Sequence, residues 1–162
     1  MFEKKDIPVD RLEAYALMLR QAEALCKDEP NFLANCANIS ALLNLYLQDI
    51  NWVGFYFLHN EELILGPFQG LPACVRIPLG KGVCGKAALT KTIQCIENVH
   101  DFPGHIACDA ASNSELVIPM LTETQRCIGV LDIDSFKFSN FDEVDIEYMT
   151  KIVNIILTFS TL

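Results

Sequence analysis

The chain has no apolar run long enough to cross a bilayer: the longest, around Ile152 to Phe159, is broken by Asn154. Basic residues are scarce, 12 against 21 acids, giving a net charge of -9. A surface of that sign repels phosphate backbones, so nucleic acid is excluded as a partner, and a membrane with it. The N-terminal stretch MFEKKDIPVD has no apolar h-region, so no secretory leader is expected and the expected location is cytoplasmic. Repeats, low-complexity tracts and linkers are also missing. At 162 residues one domain, spanning 1–162, is the expectation. Hydrophobic residues make up 51%, so a core forms without crosslinks.

Cysteine, by contrast, is abundant. Seven are present, an odd number that cannot pair off completely. In a reducing compartment they start as thiols. None forms a CxxC pair. Structural zinc sites draw their ligands from such close pairs. Here Cys74 and Cys84 are ten apart, and Cys84 and Cys108 twenty-four. His105 and Cys108 alone have a pair-like spacing, which leaves metal as an open but weakly supported reading. No metal or cofactor is expected. A cysteine-protease arrangement needs a histidine base. Only His59, His100 and His105 are available, one of them in a hairpin turn and one too close to Cys108.

Periodicity sets the element order. Pro8 to about Lys27 carries Leu12, Tyr15, Ala16 and Leu19 at helical spacing. Asn31 caps a second helix. NWVGFYFLHNEELILGPFQG reads as two strands around a turn at His59 to Glu62. Alternation places Trp52, Gly54 and Tyr56 on one face and Val53, Phe55 and Phe57 on the other. VRIPLG is a short strand, GKGVCGKAALTK a Gly-rich entry into a short helix, and TIQCIENV a strand. HDFPGHIACDAASNS is a long irregular loop. SELVIPML and CIGVLDIDS form a hairpin. The closing helix starts at a cap on Asn140 or Asp142. Hairpins in the middle and helices at both ends imply an α+β fold, an antiparallel sheet with helices packed on it.

Three thiols stand near glycine or proline: Cys74, Cys84 and Cys108. Cys84 lies at a helix N-terminus with Lys81 and Lys86 near in sequence, which favours a thiolate. Cys108 lies in a loop of unusual length, a mark of function or disorder. Buried structural thiols remain the plain alternative. On CIGVLDIDS, alternation places Ile128, Val130, Asp132 and Asp134 on one face, the two acids about 7 Å apart. Glu115 begins the neighbouring strand. Three converging acids repel unless a metal ion or an ammonium group sits among them. Trp52 and Tyr56 offer an aromatic wall suited to a cation or a polarisable sulfur, or simply core packing. Together these groups suit thiol reduction of a small cationic sulfoxide. A carboxylic acid protonates its oxygen, a thiolate attacks its sulfur, and the resulting sulfenic acid condenses with a second thiol. An external dithiol then resets the enzyme.

LGPFQG, CVRIPLGKGVCGKA, FPGHIACDAASNSE and IGVLDIDS resemble the free methionine-(R)-sulfoxide reductases, small single-domain GAF proteins. The resemblance covers nearly all of the chain after the first helix. It implies a GAF fold and reduction of the free amino acid with thioredoxin as reductant. It also implies a homodimer, the assembly such proteins often form. It implies Cys108 as the attacking cysteine, Cys84 as its disulfide partner and Cys74 as a further resolving cysteine. Glu115, Asp132 and Asp134 match the acids that hold the amino group and sulfoxide oxygen. Trp52 and Tyr56 match the wall around the methyl-sulfur end. Cys26, Cys36, Cys95 and Cys127 fall outside the motif and read as structural. Two rivals remain at this point: a GAF sensor binding a small ligand such as a cyclic nucleotide, and a thiol switch without a substrate.

Overall fold

The computed structural model describes residues 6–104 and 109–162. His105 and Cys108 lie outside the described residues. The chain forms α1 (Arg11–Cys26), α2 (Phe32–Tyr46), β1 (Ile50–His59), β2 (Glu62–Gly70), β3 (Arg76–Pro78) and α3 (Gly82–Thr90). It continues through β4 (Gln94–Ile96), a 3-10 turn at Val99–Asp101, β5 (Ser114–Leu121), β6 (Cys127–Ser135) and α4 (Glu143–Phe159). The order matches the one expected from periodicity.

Side-chain caps start the long helices, α1 at Arg11 rather than at Pro8. Asp10 accepts from the Glu13 amide, and Asn31 from the Ala34 amide. Asp142, one of the two expected caps, forms a reciprocal capping box with Asp145 at the start of α4. Asp145 does a second job. It is buried, and it accepts a 2.6 Å hydrogen bond from Tyr15 of α1. Arg11 closes the cluster with a 2.7 Å contact to Asp142. The first and last helices are thereby joined.

The strands form one six-stranded sheet in the order β3-β2-β1-β6-β5-β4. Every pairing is antiparallel. Hence the earliest long strand, β1, lies beside the last, β6, at the centre.

Period-two alternation splits the sheet into two apolar layers. Val53, Phe55, Leu116, Ile118, Leu131 and Ile133 face α1, α2 and α4 in the larger layer. Trp52, Tyr56, Val117 and Val130 face the other way, toward α3. Both faces of β1 therefore divide as alternation requires. Ile128 does not follow the expectation. It packs with the larger layer rather than beside Val130. The cause is a register shift: Met120 pairs with Gly129 but Leu121 pairs with Cys127, which leaves Ile128 unpaired and turned over.

Gly54 is needed where β1 meets β2. A Cβ there would lie 2.4 Å from Phe68 Cβ and 2.7 Å from Trp52 Cη2. The missing side chain lets the two rings lie flat on the strand. Gly54→Ala overpacks this contact and should cost about 1–3 kcal/mol. Urea unfolding checks it, and a variant midpoint equal to that of the wild type contradicts it.

Candidate active site

Strand pairing assembles the site. On β1 and β6, Trp52 pairs with Asp134 and Gly54 with Asp132. On β5, Glu115 pairs with Asp134. Side chains directly opposite each other project to one face. Three strands therefore present Trp52, Tyr56, Glu115, Asp132 and Asp134 to the α3 side. The helix supplies Cys84, which sits over the acids. Gly85 lets α3 pack against the end of β3, for a Cβ there would lie 2.6 Å from the Pro78 carbonyl oxygen.

The aromatic wall is a stack of three rings. Trp52 lies between Tyr56, at 5.8 Å between centroids, and Phe68, at 5.3 Å. Trp52 Nε1 donates to the Leu71 carbonyl and the Tyr56 hydroxyl to the Cys74 carbonyl. Both rings are almost fully buried, so they serve as core and wall together. A narrow cavity of about 10 Å³ opens beside them, lined by Trp52, Tyr56, Ala73, Asp109, Asp132 and Asp134 among others. A larger cavity lies between α1 and the start of α4, lined by Tyr15, Tyr46 and Asp145, and its lining holds no thiol.

The acids keep their protons unusually well. Burial, with the neighbouring carboxyls, pushes Glu115 and Asp134 well above the usual carboxylate range. Burial raises Asp132 less, to about 6, because bonds to Cys84 and Glu115 favour its charged form. Asp132 Oδ1 is buried and finds no hydrogen-bond partner among the described residues.

Cys84 departs from expectation. Its position in the first turn of α3, with lysines near in sequence, favours a thiolate. Burial and the facing Asp132 and Glu115 instead raise its pKa well above the usual thiol value. The thiol donates to Glu115 Oε1 at 3.8 Å. Lys86 turns away to lie over the Phe102 ring, and Lys81 is exposed. A helix terminus contributes less than the loss of water around the charge.

Cys74 is disulfide-bonded, and Cys84 is a free thiol. Cys26, Cys36 and Cys127 are buried free thiols and Cys95 is half-buried, in line with structural roles. Cys108 lies outside the described residues.

Two further residues went unnoticed in the sequence. Asp109 lines the cavity. Asn51 Nδ2 donates to Asp109 Oδ2 at 2.8 Å and to Ser112 Oγ at 3.0 Å, bracing the arm of the loop that follows Cys108. Nothing local marks Asn51, because its partners lie some sixty positions away.

A GAF-domain family model matches residues 36–157. The chain is 53% identical to free methionine-R-sulfoxide reductase of Escherichia coli strain K12, over 90% of this chain and 87% of that protein. The chain belongs to this family. It is also 52% identical to protein YtsP of Bacillus subtilis strain 168, over 93% of each. Among solved structures, free methionine-R-sulfoxide reductase from Neisseria meningitidis, in complex with its substrate, superposes with a TM-score of 0.92. It is 39% identical, over 98% of this chain and 95% of that one. The family's GAF fold agrees with the α+β arrangement of strands and helices found here.

Buried acids with raised pKa values bind more protons folded than unfolded. For Asp132 this holds between its ordinary 3.8 and about 6, so its contribution to stability falls as pH rises through that window and stays low above it. Removing the charge should therefore help the fold. Asp132→Asn is expected to gain about 1–3 kcal/mol at neutral pH, with little gain near pH 4. Thermal unfolding at both pH values checks this, and a less stable variant at neutral pH contradicts it.

Proposed function

We propose that this protein reduces free methionine-R-sulfoxide to methionine. The observation that carries the reading is the buried carboxyl cluster beside an aromatic wall, in a chain of this family. A sulfoxide sulfur becomes a good target for a thiolate only when its oxygen takes a proton. Here burial raises the carboxyl pKa values toward neutrality, beside a cavity that Asp132 lines.

Three parts share the work. Trp52 and Tyr56 take the methyl-sulfur end of the substrate. Asp134 and Asp109 attract its ammonium group. Glu115, raised further than Asp132, delivers the proton to the sulfoxide oxygen, with Asp132 beside it. Cys108 attacks the sulfur, and the sulfur–oxygen bond breaks. Methionine leaves, and the cysteine carries the oxygen as a sulfenic acid. A second thiol condenses with it, forming a disulfide and releasing water. We assign that step to Cys74, because Cys84 is buried against Glu115 and Asp132 and holds its proton. A dithiol protein such as thioredoxin reduces the disulfide by exchange. The sum is sulfoxide plus dithiol giving thioether, disulfide and water.

The need for an ammonium group selects the free amino acid, since a peptide amide carries no charge to meet the acids. The free thiols suit a reducing compartment such as the cytoplasm. A single catalytic GAF domain, and a homodimer of it, complete the reading.

The test is consumption of each sulfoxide epimer with a dithiol reductant. Only the free R-epimer should disappear, and methionine sulfoxide within a peptide should persist. Cys108→Ser should abolish turnover. Glu115→Gln should lower kcat/KM by about 100-fold or more. Activity should decline at alkaline pH as the raised carboxyls finally ionise. Loss of the S-epimer instead, or full turnover in Cys108→Ser, overturns the proposal.

A further inference from the structure

The proposed reduction gives the Cys84 thiol no covalent task, yet Cys84 belongs to a compact cluster of donor atoms that meets the cavity wall at Asp132. Ligand atoms of Cys84, Glu115 and Asp132 all lie within 4.8 Å of one another. All three residues are buried, at 3%, 5% and 6% exposure. Among the described residues, Asp132 Oδ1 finds no hydrogen-bond partner. The orphan oxygen is an independent sign that the cluster is incomplete without a positively charged or hydrogen-donating guest.

We propose that Cys84, Glu115 and Asp132 form a site for a thiophilic divalent cation, zinc, and that its occupancy closes the pocket to substrate. The second half rests on the reductase reading above, and the first does not.

The dimensions fit. Zinc binds sulfur at about 2.3 Å and carboxylate oxygen at about 2.0–2.2 Å, so a thiolate and a carboxylate on one tetrahedral ion stand about 3.6 Å apart. Cys84 Sγ and Glu115 Oε1 are 3.8 Å apart. Gathering all three groups needs only rotamer-scale movement. The thiol gives up its proton on binding, as a metal-bound cysteine does. The sulfur also sets the selectivity. Magnesium and calcium take oxygen ligands, whereas thiolate favours zinc and its softer neighbours.

The consequence for turnover follows from which groups the ion occupies. Three protein ligands leave a fourth position open. Asp132 lines the cavity, so an ion held by it stands at the cavity wall. It would take the carboxyls that must otherwise deliver a proton, and its positive charge would repel the substrate's ammonium group. Zinc is therefore an inhibitor here, competing with substrate, and not a cofactor.

Cobalt is the probe, because thiolate coordination to Co²⁺ gives a charge-transfer band in the near ultraviolet. Fully reduced, metal-free protein is titrated with Co²⁺. A band that saturates at one equivalent and is displaced by Zn²⁺ is expected. Cys84→Ser should abolish the band. Glu115→Gln, which preserves side-chain size, should retain it with affinity lowered by at least about tenfold. A band absent from the wild type, or unchanged in Cys84→Ser, overturns the site. In steady-state assays Zn²⁺ should raise the apparent KM for the sulfoxide and leave kcat unchanged. Unaffected turnover, or faster turnover with zinc, overturns the blockade. Metal-free turnover tests the reductase reading by itself, and the cobalt titration needs no turnover.

Discussion

Carboxyl groups held out of water on one face of the central strands are the constraint on which the site depends. Burying an ionised carboxylate is costly, and burying several together costs more. The cluster responds by keeping protons. Glu115 and Asp134 stand well above the usual carboxylate range, and Asp132 at about 6. Such a group is a store of protons near neutral pH and a poor tenant of a folded protein. Stability lost at this point is what makes acid chemistry available there.

The sheet is built to carry that load. Its other face buries Phe55, Leu131 and Ile133 against α1, α2 and α4 in the larger apolar layer. That side is tied by the Tyr15–Asp145 hydrogen bond and the capping box of α4. The α3 face holds the smaller layer and the acids. One face thus supplies the stability, and the other is free to hold groups that reduce it. Placing the first and last long strands together at the centre brings Trp52 beside Asp134 and Gly54 beside Asp132. Asn51, next to Trp52, then reaches the loop beyond Cys108.

Much of this was legible in the sequence. Caps at Asn31 and Asp142 and the alternation along NWVGFYF depend on near neighbours, and both are found as read. The acids of GVLDIDS and the wall residues also converge as the strand period suggests. What escaped reading depends on partners far along the chain. Ile128 turns over because of a register shift opposite Leu121. Cys84 looks activated if only its helix is considered. The strands beneath it bring two carboxyls to its sulfur, and these reverse the sign of its shift. The brace at Asn51 leaves no local trace either.

The central claim is that a carboxyl of this pocket remains protonated at neutral pH because burial outweighs ionisation. Infrared spectroscopy reads it directly, since a protonated carboxylic acid has a carbonyl stretch distinct from that of a carboxylate. The account predicts a protonated-acid band at neutral pH in the wild-type protein that disappears in Glu115→Gln. A spectrum showing only ionised carboxylates at neutral pH would contradict it.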